Sequence, residues 1–376
     1  VNSRPVNPKS ILMVCRGLDP VGTGRQLEIV AAGFREARWD VHVAVTTSTG
    51  NVPMRLAQAG FPVYPIGGRP GVDFAAAAKL LRLVQRLDPT VIHAWGRSQA
   101  RLVCGVRTLL PRPRVVCHLA LGPRGALTGW LLRRADRVIA VSDGVGRHCK
   151  AMGVDAARID IIPPGILPAG IAPEPHAASQ GLGLSRESMA QRLGLPASSP
   201  WTLCIAPLVA EARLDRLLWA IDQLDVVHRG VEHVLVGDGP LRARILRRAR
   251  VQQLSQRLLV LPHCDCLPDL LSQVRLVWQS GNVAYGGALL DAMAFGIPTL
   301  AVDSDAARQL ILDQETGRIV SADPESELPR RALSMIEDDS LAARYGAAAR
   351  ARVHKYFSTA QSIPRHIAAV ERSLET

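Results

Sequence analysis

The amino-acid sequence predicts an α/β protein made of two doubly wound domains with parallel sheets, and three observations carry that prediction. The chain has 376 residues, more than one hydrophobic core usually spans, and 48% of them are apolar, enough for two cores. Short apolar runs of β type alternate with longer helical patterns from end to end, as parallel strands covered by helices on both faces require. A polar stretch rich in Ala, Pro, Ser and Gly follows Gly165 and divides the pattern in two.

In chain order, the first sheet is expected to use Ile11 to Cys15, Val41 to Thr46, Val91 to Ala94, Val115 to His118 and Val138 to Val141. Helices are expected between them, among them Arg25 to Arg38 and Phe74 to Leu87. The first domain then covers residues 1–165, and a linker with a lead-in helix near Arg186 to Leu193 covers 166–200. The second domain covers 201–355, with strands at Thr202 to Ala206, His233 to Val236, Leu258 to Leu261, Leu276 to Gln279 and Thr299 to Val302. In open sheets of this kind ligands sit beyond the carboxyl ends of the strands.

Composition narrows the function classes. No run approaches the roughly 18 apolar residues of a membrane span, and the N-terminal segment lacks the apolar core of a secretory signal, so a cytosolic protein is expected. The cysteines, Cys15, Cys104, Cys117, Cys149, Cys204, Cys264 and Cys266, are odd in number and mostly sit in apolar runs, as small hydrophobes do. The run His263, Cys264, Asp265, Cys266 has no second ligand pair, so no metal is expected there.

Charge is uneven along the chain. Residues 1–165 hold 23 Lys and Arg against 10 Asp and Glu, and the remainder holds 22 against 23. All the excess behind the net charge of +12 therefore lies in the first half, which suggests an anionic partner such as a membrane surface or a polyanionic acceptor. Lys79, Arg82 and Arg86 recur at helical spacing there; a merely solvated face is the alternative. Nucleic acid is disfavoured, because aromatics make up only 4% of residues and no binding motif is present.

The stretch Val283 to Pro298, VAYGGALLDAMAFGIP, resembles the C-terminal signature of the family 4 (group 1) retaining glycosyltransferases: acid-Gly-Phe-Gly, four residues, then Glu-Ala-Met-Ala-x-Gly-x-Pro. The resemblance extends over nearly the whole chain. GTGRQLEIVAAGF is similar to the family's Gly-Gly-x-Glu-Arg segment and first helix, and RADRVIAVSDGVG through RIDIIPPG to its Ala-Asp-x-Val-x-x-x-Ser helix and Ile-Pro-Asn-Gly exit, with Pro164 for Asn. HVLVGDGPLRARILRRA resembles the strand, Gly-x-Gly-Pro turn and helix of the second domain. The implied fold is GT-B: two Rossmann-like domains facing each other across a cleft, with a last helix, about 356–376, returning to the first.

The implied activity is transfer of a hexose from a nucleotide sugar to a glycan or lipid-linked acceptor, with retention, without metal or other cofactor, at the inner membrane face. The implied catalytic residue is His118, whose imidazole suits a sugar hydroxyl, with His93 a weaker second. The implied donor-binding residues are Gly22, Gly24, Gly237, Ser280, Tyr285, Gly286, Gly287 and Asp291. Glycines at helix starts let backbone N–H groups approach phosphate.

Departures from the family pattern cluster at the donor site. Pro207 and Ala212 stand where the family's Gly-Arg-Leu-x-x-x-Lys-Gly has its Arg and Lys, Val283 replaces the first acid, and Gln309 a third. Arg213, or Arg216 one turn on, is the candidate substitute for the missing positive charge. Two readings follow: an active transferase with a divergent donor site, or a degenerate relative that binds a nucleotide, glycan or partner protein. A dinucleotide oxidoreductase is disfavoured, since no full Gly-x-Gly-x-x-Gly follows the first strand.

Overall fold

The computed structural model describes residues 9–17, 22–47, 50–67, 74–110, 112–166, 182–282, 286 and 289–375. Its chain forms two compact units, one of Val1–Gly165 with Thr359–Thr376, the other of Ile166–Ser358.

The first unit is built on β1 (Ser10–Cys15), β2 (Asp40–Val45), β3 (Val63–Pro65), β4 (Val91–Trp95), β5 (Arg114–Leu119), β6 (Arg137–Ala140) and β7 (Ile159–Ile161). They form one parallel sheet in the order β3-β2-β1-β4-β5-β6-β7. Its helices are α1 (Thr23–Glu36), α2 (Val52–Gln58), α3 (Phe74–Leu87), α4 (Arg97–Gly105), α5 (Ala126–Leu132) and α6 (Asp143–Ala151). The central strands β1 and β4 are buried at every residue, which is why they read as mostly apolar runs, His93 excepted in β4.

In the second unit α7 (Arg186–Leu193) precedes β8 (Trp201–Ile205), α8 (Leu214–Val227), β9 (Glu232–Val236), α9 (Arg242–Val251), β10 (Leu258–Leu261) and α10 (Leu267–Gln273). Then come β11 (Leu276–Gln279), α11 (Leu289–Phe295), β12 (Thr299–Val302), α12 (Asp305–Leu310), β13 (Arg318–Val320), α13 (Glu327–Glu337) and α14 (Asp339–Tyr356). The sheet is again parallel, in the order β10-β9-β8-β11-β12-β13, with a separate apolar cluster on each face.

The last helix, α15 (Thr359–Glu375), belongs to the first unit. Gly33 of α1 makes room for it, because a Cβ there would lie 2.5 Å from Ile363 Cγ2. Arg365 donates to the Ile161 carbonyl at 2.6 Å, and Arg372 reaches Asp160 at 2.6 Å, so α15 is tied to the β7 edge. The chain leaving β7 is pinned as well: the Gln26 amide donates to the Gly165 carbonyl at 2.6 Å and accepts from its N–H at 2.9 Å. Entry into the second unit is held by buried Asp269, whose carboxylate accepts the N–H groups of Leu182, Gly183 and Leu184.

Three strands escaped the sequence reading. β3, β7 and β13 are three residues each, lie at sheet edges and are mostly half-exposed, so they carry neither an apolar run nor a clean alternation. All seven cysteines are buried and free. Among the described residues no helix is long and apolar enough to cross a membrane, and no cluster of three or more His, Cys, Asp or Glu could hold a metal ion.

Candidate active site

Strand order locates the candidate site of the second unit. From the β8/β11 boundary the chain winds outward one way through β9 and β10 and the other way through β12 and β13. That boundary is the topological switch point of the sheet, and beyond the carboxyl ends of its strands is where doubly wound sheets take their ligands.

Backbone contacts shape this end of the sheet. The loop after β8 is tied to the loop after β9 by Leu208 N–H to the Asp238 carbonyl, 2.9 Å, and Leu241 N–H to the Leu208 carbonyl, 3.0 Å. A Cβ at Gly237 would lie 1.9 Å from the Ala206 oxygen, so only glycine fits that approach. On the other side Asn282 N–H donates to the Glu211 carbonyl at 3.0 Å, and a Cβ at Gly281 would lie 2.5 Å from the same oxygen. Ser280 is buried and its hydroxyl donates to the Ala212 carbonyl at 2.9 Å, so its visible role is to lock the β8 and β11 loops together.

The two arginines divide. Arg213 is the N-cap of α8 and sits in the left-handed region, φ 48° and ψ 45°, a conformation that costs an ordinary side chain about 1 kcal/mol or more. Its side chain is 50% exposed, with Nε 3.4 Å from Asp215 Oδ1. Burial raises the Asp215 pKa, but the Arg213 hydrogen bond and charge outweigh it and hold the carboxyl below its ordinary value. Arg216 is instead buried beneath the loop, donating to the Ser280 carbonyl at 3.1 Å and lying 3.7 Å from Glu325. Of the two candidate substitutes, Arg213 is the one open to solvent and Arg216 is a clamp.

Asp291 falls in the first turn of α11 and is half-buried. Gly286, at φ 73°, lies against α12, where a Cβ would meet Leu310 Cδ1 at 2.4 Å. Val283, Tyr285 and Gly287 lie outside the described residues. Gln279, which the sequence reading did not single out, ends β11 only 3% exposed, and neither its amide oxygen nor its nitrogen has a hydrogen-bond partner among the described residues. A polar residue closing an apolar strand was the one signal for it.

The first unit has its own boundary, between β1 and β4. Gly22, at φ 51°, caps α1, and Gly24 is buried in its first turn. Beside it, the C-terminal halves of β4 and β5 carry a stack of rings. His118 lies 4.0 Å from the Trp95 ring at 17° and 5.3 Å from His366 of α15 at 13°, while His93 sits 5.0 Å from Trp95. His118 is only 2% exposed, and the His366 ring of α15 covers it. His366 donates Nδ1–H to the Ser362 carbonyl at 2.8 Å, which fixes its tautomer. Burial, with the His366 charge second, lowers the His93 pKa to about 3; burial likewise takes His366 to about 4 and His118 well below its ordinary value. All three rings are neutral at physiological pH.

Comparison with known proteins bears on this geometry. The model of Glycosyltransferase Family 4 matches residues 21–169, and that of Glycosyl transferases group 1 matches residues 185–352. The chain belongs to the group 1 glycosyltransferases. The lipopolysaccharide core biosynthesis mannosyltransferase LpcC of Rhizobium leguminosarum bv. viciae is 29% identical over 363 residues, covering 89% of this glycosyltransferase and 93% of that protein. A phosphatidyl-myo-inositol mannosyltransferase of Mycolicibacterium smegmatis is 38% identical over 76 residues, a match spanning only 20% of each chain. The crystal structure of Anabaena Alr3699/HepE in complex with UDP and glucose has the same GT-B fold, with a TM-score of 0.81 at 19% identity over 97% of this chain and 100% of that one.

Proposed function

We propose that this glycosyltransferase moves a hexose from a nucleotide sugar to a glycan or lipid-linked acceptor at the inner face of a membrane, with retention and without metal. The observation that carries the reading is the convergence of the β8, β9 and β11 loops at the carboxyl end of the second unit's sheet, backbone against backbone at glycines where no Cβ fits. A departing diphosphate needs positive charge or N–H groups aimed at it, since charge develops there in the transition state. Arg213, strained and exposed at the start of α8, supplies the charge in place of the family's Arg and Lys. Asp291 accepts from the ribose hydroxyls, and the Gly-Gly step of the motif, Gly286 and Gly287, is assigned to the phosphates. His118, the histidine that the family pattern assigns to the donor sugar, is kept neutral by its burial against Trp95 and His366. Mannose is the first sugar to test, because LpcC and the mycobacterial relative are mannosyltransferases by name.

The second reading, a degenerate relative that binds without turnover, is favoured by Pro207 and Ala212 at the two basic slots. Isothermal titration with UDP and GDP, run beside a hydrolysis screen of UDP- and GDP-sugars, separates the two. Binding with donor hydrolysis supports the transferase, binding without any hydrolysis the degenerate relative, and no binding at millimolar nucleotide overturns the donor site itself.

A further inference from the structure

Between Pro89 and Ala135 the chain contains eight arginines and not one Asp or Glu. Arg107 and Arg114 are spent on Asp136, and Arg112 pairs with Asp88. Arg101 of α4, with Arg133 and Arg134 just beyond α5, makes no ion pair among the described residues, and Arg101 and Arg133 are exposed.

In the same stretch α5 turns large apolar side chains outward. Leu127 is 59% exposed and Trp130, one turn on, 45%. This is not looseness of the helix, because its inner side is fixed: Thr128, Gly129, Leu131 and Leu132 are buried, and a Cβ at Gly129 would already be 2.9 Å from Met152 Cβ. Arg134 lies with its Cζ 3.8 Å from the Trp130 ring centre, so a cation rides on the ring. α4 packs alongside α5.

An outward Trp and Leu, with Arg134 on the Trp ring and Arg101 and Arg133 exposed on the same α4–α5 segment, is chemically two-layered. The apolar pair gains by leaving water, and the arginines gain by meeting anions. We infer that this α4–α5 face of the first unit docks on an anionic lipid bilayer, with Leu127 and Trp130 seated at the headgroup level and Arg101, Arg133 and Arg134 against lipid phosphates. Tryptophan and arginine are suited to that depth, the one amphipathic and the other able to keep its charge at the surface while its stem lies in apolar surroundings. A second copy of the same face is a poor partner, because both faces are positive and repel. Nucleic acid would use the arginines but gives Leu127 no role. The inference rests on the proposed membrane-associated acceptor for its purpose, and its test needs neither donor nor acceptor.

The full chain is sedimented with phosphatidylglycerol-containing vesicles and, separately, with pure phosphatidylcholine vesicles, at low and high salt. The expected result is anionic-selective, salt-sensitive binding. Arg133→Gln/Arg134→Gln should weaken it about thirtyfold, from two lost surface charges. Leu127→Ser/Trp130→Ser should weaken it at least about tenfold by removing the apolar anchor. Arg82→Gln/Arg86→Gln in α3 should bind as the wild type does. Melting curves guard against misfolding, and the charge pair, exposed or half-exposed, keeps the test sound if the apolar pair is unstable. Equal partitioning to both vesicle types, wild-type binding by both α5 variants, or loss only in the α3 variant would overturn the inference. So would tighter binding to a duplex oligonucleotide that the apolar pair leaves untouched. Nucleotide binding retained in a variant that has lost vesicle binding separates this surface from the donor site.

Discussion

At the carboxyl end of the second unit's sheet the chain strips side chains away, whereas at the same end of the first unit's sheet it stacks them. Gly237 and Gly281 bring backbone against backbone around the β8 and β11 loops, and the arginine left in the open, Arg213, is held in a strained conformation. In the first unit Trp95, His118 and His366 fill the corresponding place on β4 and β5 with rings under α15. Both arrangements decide what can be desolvated. Backbone packed against backbone excludes side chains and leaves Arg213 exposed, while a stack of neutral imidazoles keeps polar atoms buried without charge, at the expense of tolerance to acid.

The contrast can be broken most forcefully by pH. An unfolded imidazole takes up a proton near pH 6.5, whereas His93 does so near 3 and His366 near 4. Between these values the unfolded state binds the extra protons, so stability is full above about pH 6.5 and drains away as pH falls. At pH 4.5 the two groups together cost on the order of 5 kcal/mol. Scanning calorimetry from pH 7 to 4.5 should find the first unit melting progressively earlier, and a Tm flat across that range would contradict neutral burial of the stack.

Next in size is Gly237→Ala. The added Cβ cannot occupy a point 1.9 Å from the Ala206 oxygen, so the loops must separate, at about 3 kcal/mol and a fall in Tm of about 10 °C, with loss of nucleotide affinity. Unchanged melting and titration would mean that the approach is not needed. For Arg213→Gly the expectation is divided: stability stays within about 1 kcal/mol, because glycine accepts the left-handed conformation, while turnover falls about a hundredfold. Steady-state kinetics at the wild-type rate would remove Arg213 from the donor site. The smallest effect belongs to Gln279→Leu, which deletes two buried polar atoms that have no partner among the described residues and should raise stability by about 1 kcal/mol while weakening nucleotide binding a few-fold. Destabilisation by urea titration would instead show that the amide is satisfied in the folded chain.

Much of the architecture is legible in the amino-acid sequence. β1, β4, β8 and β11 are buried throughout, so their composition alone announces them, and the helices between them carry the matching periodicity. Edge strands β3, β7 and β13 were not legible, because three half-exposed residues make no pattern. Among site residues, Gly237 and Ser280 could be named from the motif, but what each does came from a contact: the Ala206 oxygen for one, the Ala212 carbonyl for the other.

By itself, then, the sequence determined the fold class, the family and the loops at the carboxyl end of the second unit's sheet, because these depend on local periodicity and on glycines whose spacing is read directly. Only the tertiary structure decided that Arg213 is open and Arg216 is a clamp, since one helical turn separates them in sequence and burial distinguishes them in space. Only it placed His366 over His118, because that stack joins a strand to a helix from the far end of the chain, and no local pattern encodes which distant ring will cover a buried imidazole.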